Sequence, residues 1–267
     1  VITFTKAAAM EMKERFTRLM EQQAQPPGGY GNVSFGTFHA VFFNILKLSY
    51  GFTVANIITE ETRRQYLKES ADQMKLEIDD ENEFLTGIAG EISLIKNERV
   101  ALEHYFSKNC SEEVFRKIYE GYEERKKRAR LIDFDDMLVY TWELLSQRKD
   151  ILSAWQKKYQ YILVDEFQDI NRLQYDILRL LAEPENNLFI VGDDDQSIYR
   201  FRGARPEIML NFRKDYPQSG QVLLNDNFRS TTQIVEAAGR VIARNKTRFP
   251  KNIIARGGDG ALVRSLE

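Results

Sequence analysis

The sequence predicts an α/β fold built on a parallel sheet and interrupted by a helical segment. Two short runs, at 161–164 and 188–191, have the unbroken apolarity typical of strands covered on both faces, and acidic residues follow each run. From about residue 60 to residue 130 the pattern is helical and highly charged, without a convincing strand. A chain of 267 residues has room for about two or three structural units.

Four elements are predicted before residue 60. Val1–Phe4 and Val33–Phe38 are short and rich in apolar residues, which favours strands. Ala7–Gln23 contains good helix formers whose apolar residues fall on one face. His39–Tyr50 also has apolar residues at helical spacing, and Gly51 is a typical helix end.

Strands and helices alternate again after residue 133. The predicted helices are Asp135–Gln147, Arg172–Ala182, Glu207–Lys214 and Thr231–Asn245, and the predicted strands are Tyr161–Val164, Leu188–Val191 and Val222–Leu224. Ser230 or Thr231 is placed to cap the last helix. This alternation indicates a parallel sheet that continues on both sides of the helical segment.

The composition restricts the kinds of site that the chain can hold. A net charge of −2 means that any binding of a polyanion must come from local basic clusters. The single Cys110 excludes an intrachain disulfide and a cysteine metal cluster, and two histidines leave little room for zinc. No apolar run approaches the roughly 20 residues that span a bilayer, so we expect a soluble, cytoplasmic protein with no membrane partner. The start at Val1, in mid-strand, suggests part of a longer protein.

Acidic residues lie where a parallel sheet binds its ligands, beyond the carboxyl ends of the strands. Asp165 and Glu166 follow the first apolar run, and the triplet Asp193–Asp195 follows the second. The first pair indicates a metal and nucleotide site. The triplet needs a cation, basic partners or solvent, and a salt-bridged loop is the alternative to a functional site. The basic residues nearest in sequence are Arg200, Arg202 and Arg205.

Six segments together resemble the UvrD/Rep/PcrA-type superfamily 1 DNA helicases, in order and in spacing. Three carry the resemblance most strongly: V-D-E-F-Q-D at 164–169, V-G-D-D-D-Q-S-I-Y-R-F-R-G-A at 191–204 and L-N-D-N-F-R-S-T at 224–231. The others are similar to motif Ia at 3–15, to motif Ib at 36–40 and to the segment that rejoins the motor after its insertion, at 132–137.

The resemblance implies a P-loop NTPase (RecA-like) motor domain with an inserted all-helical domain and the start of a second RecA-like domain. The expected units are 1–58, the first motor domain with motifs Ia and Ib; 59–131, the helical insertion; 132–216, the rest of the first motor domain with motifs II and III; and 217–267, the start of the second, with motif IV. No G-x-x-x-x-G-K-[S/T] loop occurs, and in the family it lies just upstream of Val1. We therefore expect the chain alone to be inactive.

The resemblance also implies ATP and Mg²⁺ as cofactors. Asp165 and Glu166 would form the metal site, where Asp165 holds Mg²⁺ and Glu166 orients or deprotonates the attacking water. Gln196 would sense the γ-phosphate, and Arg229 would approach it from the second motor domain. Phe228 matches an aromatic residue that stacks on adenine, although an ordinary core position is the alternative.

Single-stranded DNA and junctions between single and double strands are the implied partners, with 3′→5′ movement. The matching residues of motifs Ia and Ib are Thr5, Thr37, Phe38 and His39, and those of motif III are Tyr199, Arg200, Phe201 and Arg202. Alternating aromatic and basic side chains suit single strands, because rings stack on bases while guanidinium groups meet phosphates. The family usually has tryptophan in place of Phe201, and Asn-Lys in place of Lys6-Ala7.

Other functions stay open at this stage. A non-catalytic DNA-binding or scaffolding module would keep the fold without needing Asp165, Glu166 and Arg229. A metal-dependent nuclease could use the carboxylates, but the sequence lacks a suitably spaced catalytic lysine near Asp165. The basic run at 125–130 could grip duplex DNA or form a solvated helix face.

Overall fold

A four-stranded parallel sheet organises most of the molecule. The computed structural model describes residues 1–22, 32–76, 78–198 and 203–264. The strands are β1 (Ile2–Thr3), β2 (Gly36–Thr37), β3 (Ile162–Val164) and β4 (Leu188–Ile190), in the order β2-β1-β3-β4 with every neighbouring pair parallel. The predicted α/β fold with a parallel sheet is therefore confirmed.

Eleven helices are seen in the described residues. They are α1 (Lys6–Gln22), α2 (Phe38–Tyr50), α3 (Glu60–Asp72), α4 (Glu81–Glu98), α5 (Glu112–Ala129), α6 (Phe134–Gln147), α7 (Lys149–Lys158), α8 (Arg172–Ala182), α9 (Pro206–Leu210), α10 (Phe212–Asp215) and α11 (Thr232–Ile242). Local chemistry sets several ends. Gly51, with φ 71°, ends α2 as predicted, and the capping boxes Asp133/Asp136 and Asn171/Gln174 begin α6 and α8.

Two separate hydrophobic cores lie in the described residues. The main core joins the sheet to α2, α6 and α8, with Phe42, Leu145 and Ile177 fully buried. The second core lies among α3, α4 and α5, around Ile88 and Ile118. The helical texture predicted for residues 60–130 thus corresponds to three helices with a core of their own. That these helices form an inserted domain stays a prediction.

The apolar strands are covered on one face, not on both. Ile162 and Val164 are buried in the main core, whereas Leu163 is 40% exposed. Its register partner on β4, Phe189, is 61% exposed, although the sequence predicts a buried strand there. Side chains alternate along a strand, so these two residues share the face that no described element covers. The prediction of strands covered on both faces is wrong for these residues.

The C-terminal residues form a smaller α/β unit. The parallel strands β5 (Asp226–Asn227) and β6 (Ile254–Ala255) pair beside α11. The predicted strand Val222–Leu224 is wrong, because these residues form no strand, pair with no described strand, and Val222 is 84% exposed.

The helices differ from the sequence-based expectation in three further respects. The predicted helix at 207–214 divides into α9 and α10, and α7 is not predicted at all. Thr231 is the cap residue of α11, but its side chain makes no capping hydrogen bond. Among the described helices, none combines the length and the apolarity that crossing a membrane requires.

Candidate functional site

The two carboxylates after β3 lie in a turn at the carboxyl edge of the sheet. The backbone N–H of Asp165 still donates to Ile2 of β1, at 2.9 Å, and the chain leaves the strand at the next residue. Glu166 has φ 53° and ψ 41°, a left-handed conformation that is uncommon for residues other than glycine. This turn interrupts the alternation of the strand, so that both carboxylates lie beyond its end. Asp165 is half-buried and Glu166 is exposed.

Three acids crowd this edge of the sheet. Burial raises the pKa of Asp165, and the charge of Glu166 raises it further. The same two causes raise the pKa of Asp169, whose Oδ1 is buried without a hydrogen-bond partner. Because the charge of Glu166 makes ionisation of the two aspartates harder, a cation would stabilise the group. Carboxylate oxygens are ligands that Mg²⁺ prefers, so Asp165 and Glu166 fit the metal expected there.

Gln168 is a site residue that the sequence places only in the outgoing loop. Its side chain is 1% exposed and lies between the turn after β3 and the turn after β4. The Nε2 atom donates to Glu166 Oε2 at 2.7 Å, and Oε1 accepts from the backbone N–H of Asp193 at 3.0 Å. A Cβ added at Gly192 would lie 2.6 Å from that oxygen. The glycine before the acidic triplet is the sequence signal for this close approach.

The triplet Asp193–Asp195 is held by basic residues far along the chain. Lys251 Nζ contacts all three carboxylates, and Arg248 makes two hydrogen bonds to Asp195, at 2.7 and 2.5 Å. We call these five residues the turn cluster. Lys251 Nζ lies between the three carboxylates, where a metal ion would have to bind. The triplet is therefore stabilised by basic side chains rather than by a metal ion.

The basic partners suggested by sequence proximity are not those seen. Arg205 pairs instead with Glu98 at the end of α4, at 2.9 and 2.5 Å. Arg200 and Arg202, like Tyr199 and Phe201, lie outside the described residues. The expectation that Arg205 neutralises the triplet is therefore wrong.

The other nucleotide-site candidates are exposed. Gln196 donates to Asp193 Oδ2 at 2.8 Å. Phe228 is 77% exposed, so the alternative of an ordinary core position for its ring is wrong. The backbone N–H of Arg229 donates to Asn227 Oδ1 at 2.9 Å, which shapes the turn after β5. In the ranges that the structure describes, no hydrogen bond or ion pair joins the Arg229 side chain to Asp165 or Glu166.

Two of the DNA-contact candidates begin helices. The hydroxyl of Thr5 accepts from Ala8 N at 3.1 Å, and that of Thr37 accepts from Ala40 N at 3.2 Å. Thr5 follows β1 and Thr37 is the last residue of β2, at the same edge of the sheet as Asp165. Their hydroxyls thus have a structural role as helix caps, whichever ligand they meet.

Phe38 and His39 differ in their surroundings. The Phe38 ring is 1% exposed and packs edge-on against Phe4 and Phe42, with centroids 5.3 and 5.9 Å apart. The ring belongs to the main core, and a contact of Phe38 with DNA stays a prediction. His39 is half-buried against the ring of Phe134, with centroids 5.2 Å apart, and burial lowers its pKa despite the opposing charge of Asp135.

Comparison with known proteins gives a consistent family. Residues 1–217 match the UvrD/REP helicase N-terminal domain. The chain is 39% identical over 262 residues to YjcD of Bacillus subtilis (strain 168), covering 97% of this chain and 34% of that protein. It is also 37% identical over 269 residues to the ATP-dependent DNA helicase PcrA of Leuconostoc citreum, and 36% identical over 273 residues to PcrA of Bacillus subtilis (strain 168). Those alignments cover 97% and 98% of this chain and 34% and 35% of the two helicases.

The chain thus spans about a third of the length of the curated relatives that it matches. The family match covers both the turn with Asp165 and Glu166 and the turn with the acidic triplet. Together with the parallel sheet, these matches show that the chain belongs to the UvrD/REP helicase family.

Proposed function

We propose that this chain is the central part of an ATP-dependent DNA helicase or translocase that couples hydrolysis of Mg-ATP to 3′→5′ movement on single-stranded DNA. The observation that carries the proposal is the pair Asp165 and Glu166, set beyond the carboxyl end of a parallel strand in a member of this family. A binding module has no need of this crowded acidic edge. The proposed surroundings are a RecA-like P-loop NTPase domain at 1–58 and 132–216, a helical insertion at 59–131 and a second motor domain from 217.

The carboxylates would divide the work of phosphoryl transfer. Asp165 would hold Mg²⁺, which neutralises phosphate charge when bound, and Glu166, the more exposed of the two, would orient or deprotonate the attacking water. Gln196 would report on the γ-phosphate. Arg229 and Phe228 are solvent-exposed on the C-terminal unit, which leaves them free to meet phosphate and adenine. Such an arginine contributes on the order of 10³–10⁵ in rate.

Single-stranded DNA would lie along the carboxyl edge, on Thr5, Thr37 and His39 and on the segment 199–202. Contacts of described residues on either side of that segment support its coupling to the acids. The Ser197 hydroxyl donates to the Gln168 carbonyl at 3.3 Å, and Arg205 N donates to Ile170 O at 2.9 Å. Both acceptors, Gln168 and Ile170, lie within four residues after Glu166. Junctions between single and double strands are the proposed substrates, in the cytoplasm and in processes such as DNA repair.

The test is Glu166→Gln in a full-length protein of the relatives' size that contains this chain. Removing the proposed base should lower kcat for ATP hydrolysis by about 10²–10⁴-fold while a fluorescent ATP analogue still binds. Glu185→Gln, an exposed glutamate between α8 and β4, is the matched control and should change little. Near-normal turnover by Glu166→Gln would remove Glu166 from its role.

The isolated 267-residue chain offers a second test. It contains no phosphate-binding loop, so we propose that it neither hydrolyses ATP nor unwinds DNA. A coupled ATPase assay with oligothymidylate and Mg²⁺ should give no turnover above background. Robust turnover that depends on Mg²⁺ would contradict this part of the proposal.

A further inference from the structure

Gln168 joins the turn after β3 to the turn after β4. Phe167 N donates to Val191 O at 2.9 Å, and beside this bond the Gln168 amide connects Glu166 Oε2 to the N–H of Asp193. The partners fix the orientation of the amide, because an ionised carboxylate only accepts and a backbone N–H only donates. The side chain is buried, so neither bond is readily replaced by water.

The surroundings leave this amide little freedom. A Cβ added at Gly192 would lie 2.6 Å from its oxygen and 3.1 Å from Phe167 N, so only glycine leaves room for the amide there. The backbone carbonyl of Gln168 accepts from the Ser197 hydroxyl, and Ser197 lies two residues before the candidate DNA segment at 199–202. One residue therefore contacts the acid at the end of β3, the turn after β4 and the approach to residues 199–202. A carboxylate held by a single buried donor has one preferred direction.

We propose that Gln168 is the positioning residue for Glu166, and that the same side chain ties the direction of this carboxylate to the turn that leads into the candidate DNA segment. The inference rests on the proposed ATPase function. In it, a shift of the turn at Asp193 moves the Gln168 amide and with it the Glu166 carboxylate. In the full-length protein, bound DNA thereby acts through this turn on the orientation of the catalytic base.

Gln174 provides a matched control for a purely structural role. It is also a buried glutamine, 5% exposed, six residues along the chain in α8. Its Oε1 accepts from Asn171 N at 3.0 Å in the capping box, so it stabilises the fold without contacting either acid. Methionine at either position keeps the length and burial of the side chain and removes the amide.

The experiment compares Gln168→Met with Gln174→Met in the full-length protein. Steady-state ATPase is measured with and without saturating oligothymidylate, and kcat is referred to the sites that bind a fluorescent ATP analogue, so that unfolded molecules do not count. For Gln168→Met we expect kcat to fall about 10- to 100-fold, part of what a positioned base contributes, while KM for ATP changes less than about threefold. The factor by which DNA raises kcat should also fall. Gln174→Met should keep the wild-type kcat and the wild-type factor by which DNA raises kcat.

Each other outcome decides the question. A kcat per site within about threefold of the wild-type value in Gln168→Met would overturn the positioning role. So would an equal loss in Gln174→Met, which would assign the effect to the fold. If Gln168→Met lowers kcat but DNA still raises kcat by the wild-type factor, only the proposed link between Glu166 and the turn after β4 would be overturned. If Glu166→Gln retains turnover, the proposed function fails; if Glu166→Gln is inactive and Gln168→Met is normal, only this inference fails.

Discussion

Two ion clusters with the same numbers of positive and of negative charges hold different parts of the molecule, and they differ in how far water reaches them. The interior cluster consists of Lys96, Glu123, Lys126, Asp133 and Asp136, and the turn cluster consists of Asp193–Asp195, Arg248 and Lys251. Each therefore sets two cations against three carboxylates. The interior cluster joins α4 and α5 to α6, whereas the turn cluster joins the turn after β4 to residues near β6.

Four of the five side chains of the interior cluster are buried, and the fifth, Glu123, is 27% exposed. The side chains of Lys96 and Lys126 are 5% and 2% exposed, and each lysine donates to both Asp133 and Asp136 at 2.6–3.0 Å. The same two aspartates form the capping box of α6, and the Tyr122 hydroxyl donates to Asp133 at 3.0 Å. Burial alone would lower the pKa of Lys96, but the surrounding carboxylates outweigh burial and raise it well above its usual value.

The turn cluster is open on one side. The Asp193 side chain is 39% exposed, although that of Asp194 is only 2% exposed. Its cations come from a segment of coil between α11 and β6, rather than from a packed helix. The difference suggests that the interior cluster fixes one arrangement of α4, α5 and α6, while the turn cluster is a weaker connection beside the candidate site. Charge number is the same in both, so burial decides their strength.

The largest effect is expected from Lys126→Met. Removing this lysine leaves two buried aspartates and the partly exposed Glu123 facing Lys96 alone, and breaking a buried ion pair in this way costs about 3–5 kcal/mol in free energy of unfolding. Urea unfolding of the chain at pH 7 measures the loss. Lys127→Met, an exposed neighbour on the same helix, is the control and should lose less than about 0.5 kcal/mol. Equal losses in the two variants would contradict the importance of burial.

A smaller effect is expected from Lys251→Met. The lysine contacts three carboxylates, but water can replace it at the exposed Asp193, so we expect a loss of about 1–3 kcal/mol. The same urea titration measures it, with the exposed Lys246→Met as the control. A loss as large as that of Lys126→Met would mean that the turn cluster is as rigid as the interior cluster.

These clusters also show what the sequence can and cannot predict. Local patterns predict α8 with its observed bounds, the end of α2 at Gly51 and the acids after β3, because each depends on neighbouring residues. They do not identify the partners of the acidic triplet, because Arg248 lies 53 residues from Asp195. The basic run at 125–130 contains one buried lysine, and no charge pattern distinguishes Lys126 from Lys127.

The site shows the same limit. The residues that follow strands are visible in the sequence, but the role of Gln168 depends on two turns that meet only in the fold. Coverage of β3 likewise depends on elements distant in sequence, and the described residues cover one of its faces.

Acid should weaken the turn cluster in a defined range of pH. Burial alone would raise the pKa of Asp193 and Asp195. Hydrogen bonds from Lys251 and Gln196 outweigh burial at Asp193, and those from Arg248 and Lys251 do so at Asp195, so that both pKa values are lowered. Carboxylates with a lowered pKa contribute their stability above the unfolded value of about 3.9 and lose it as the pH falls below that value. The difference in free energy of unfolding between wild type and Lys251→Met should therefore stay constant from about pH 5 to 9 and shrink below about pH 4. A difference that persists to pH 3 would point to packing rather than charge.

The smallest effect is expected from Arg128→Ala, which sets the baseline for the comparison. Arg128 lies on α5, two residues from Lys126, and pairs with Glu124 at 2.5 Å with side chains 76% and 68% exposed. An exposed pair spaced i, i+4 contributes only about 0.3–0.5 kcal/mol, and salt screens it. Urea unfolding in 0.05 and 0.5 M NaCl should show a small loss that fades at the higher salt. The losses should then rank by burial from Arg128 through Lys251 to Lys126; a loss above about 1 kcal/mol for Arg128→Ala would break that ranking, because this ion pair lies entirely at the surface.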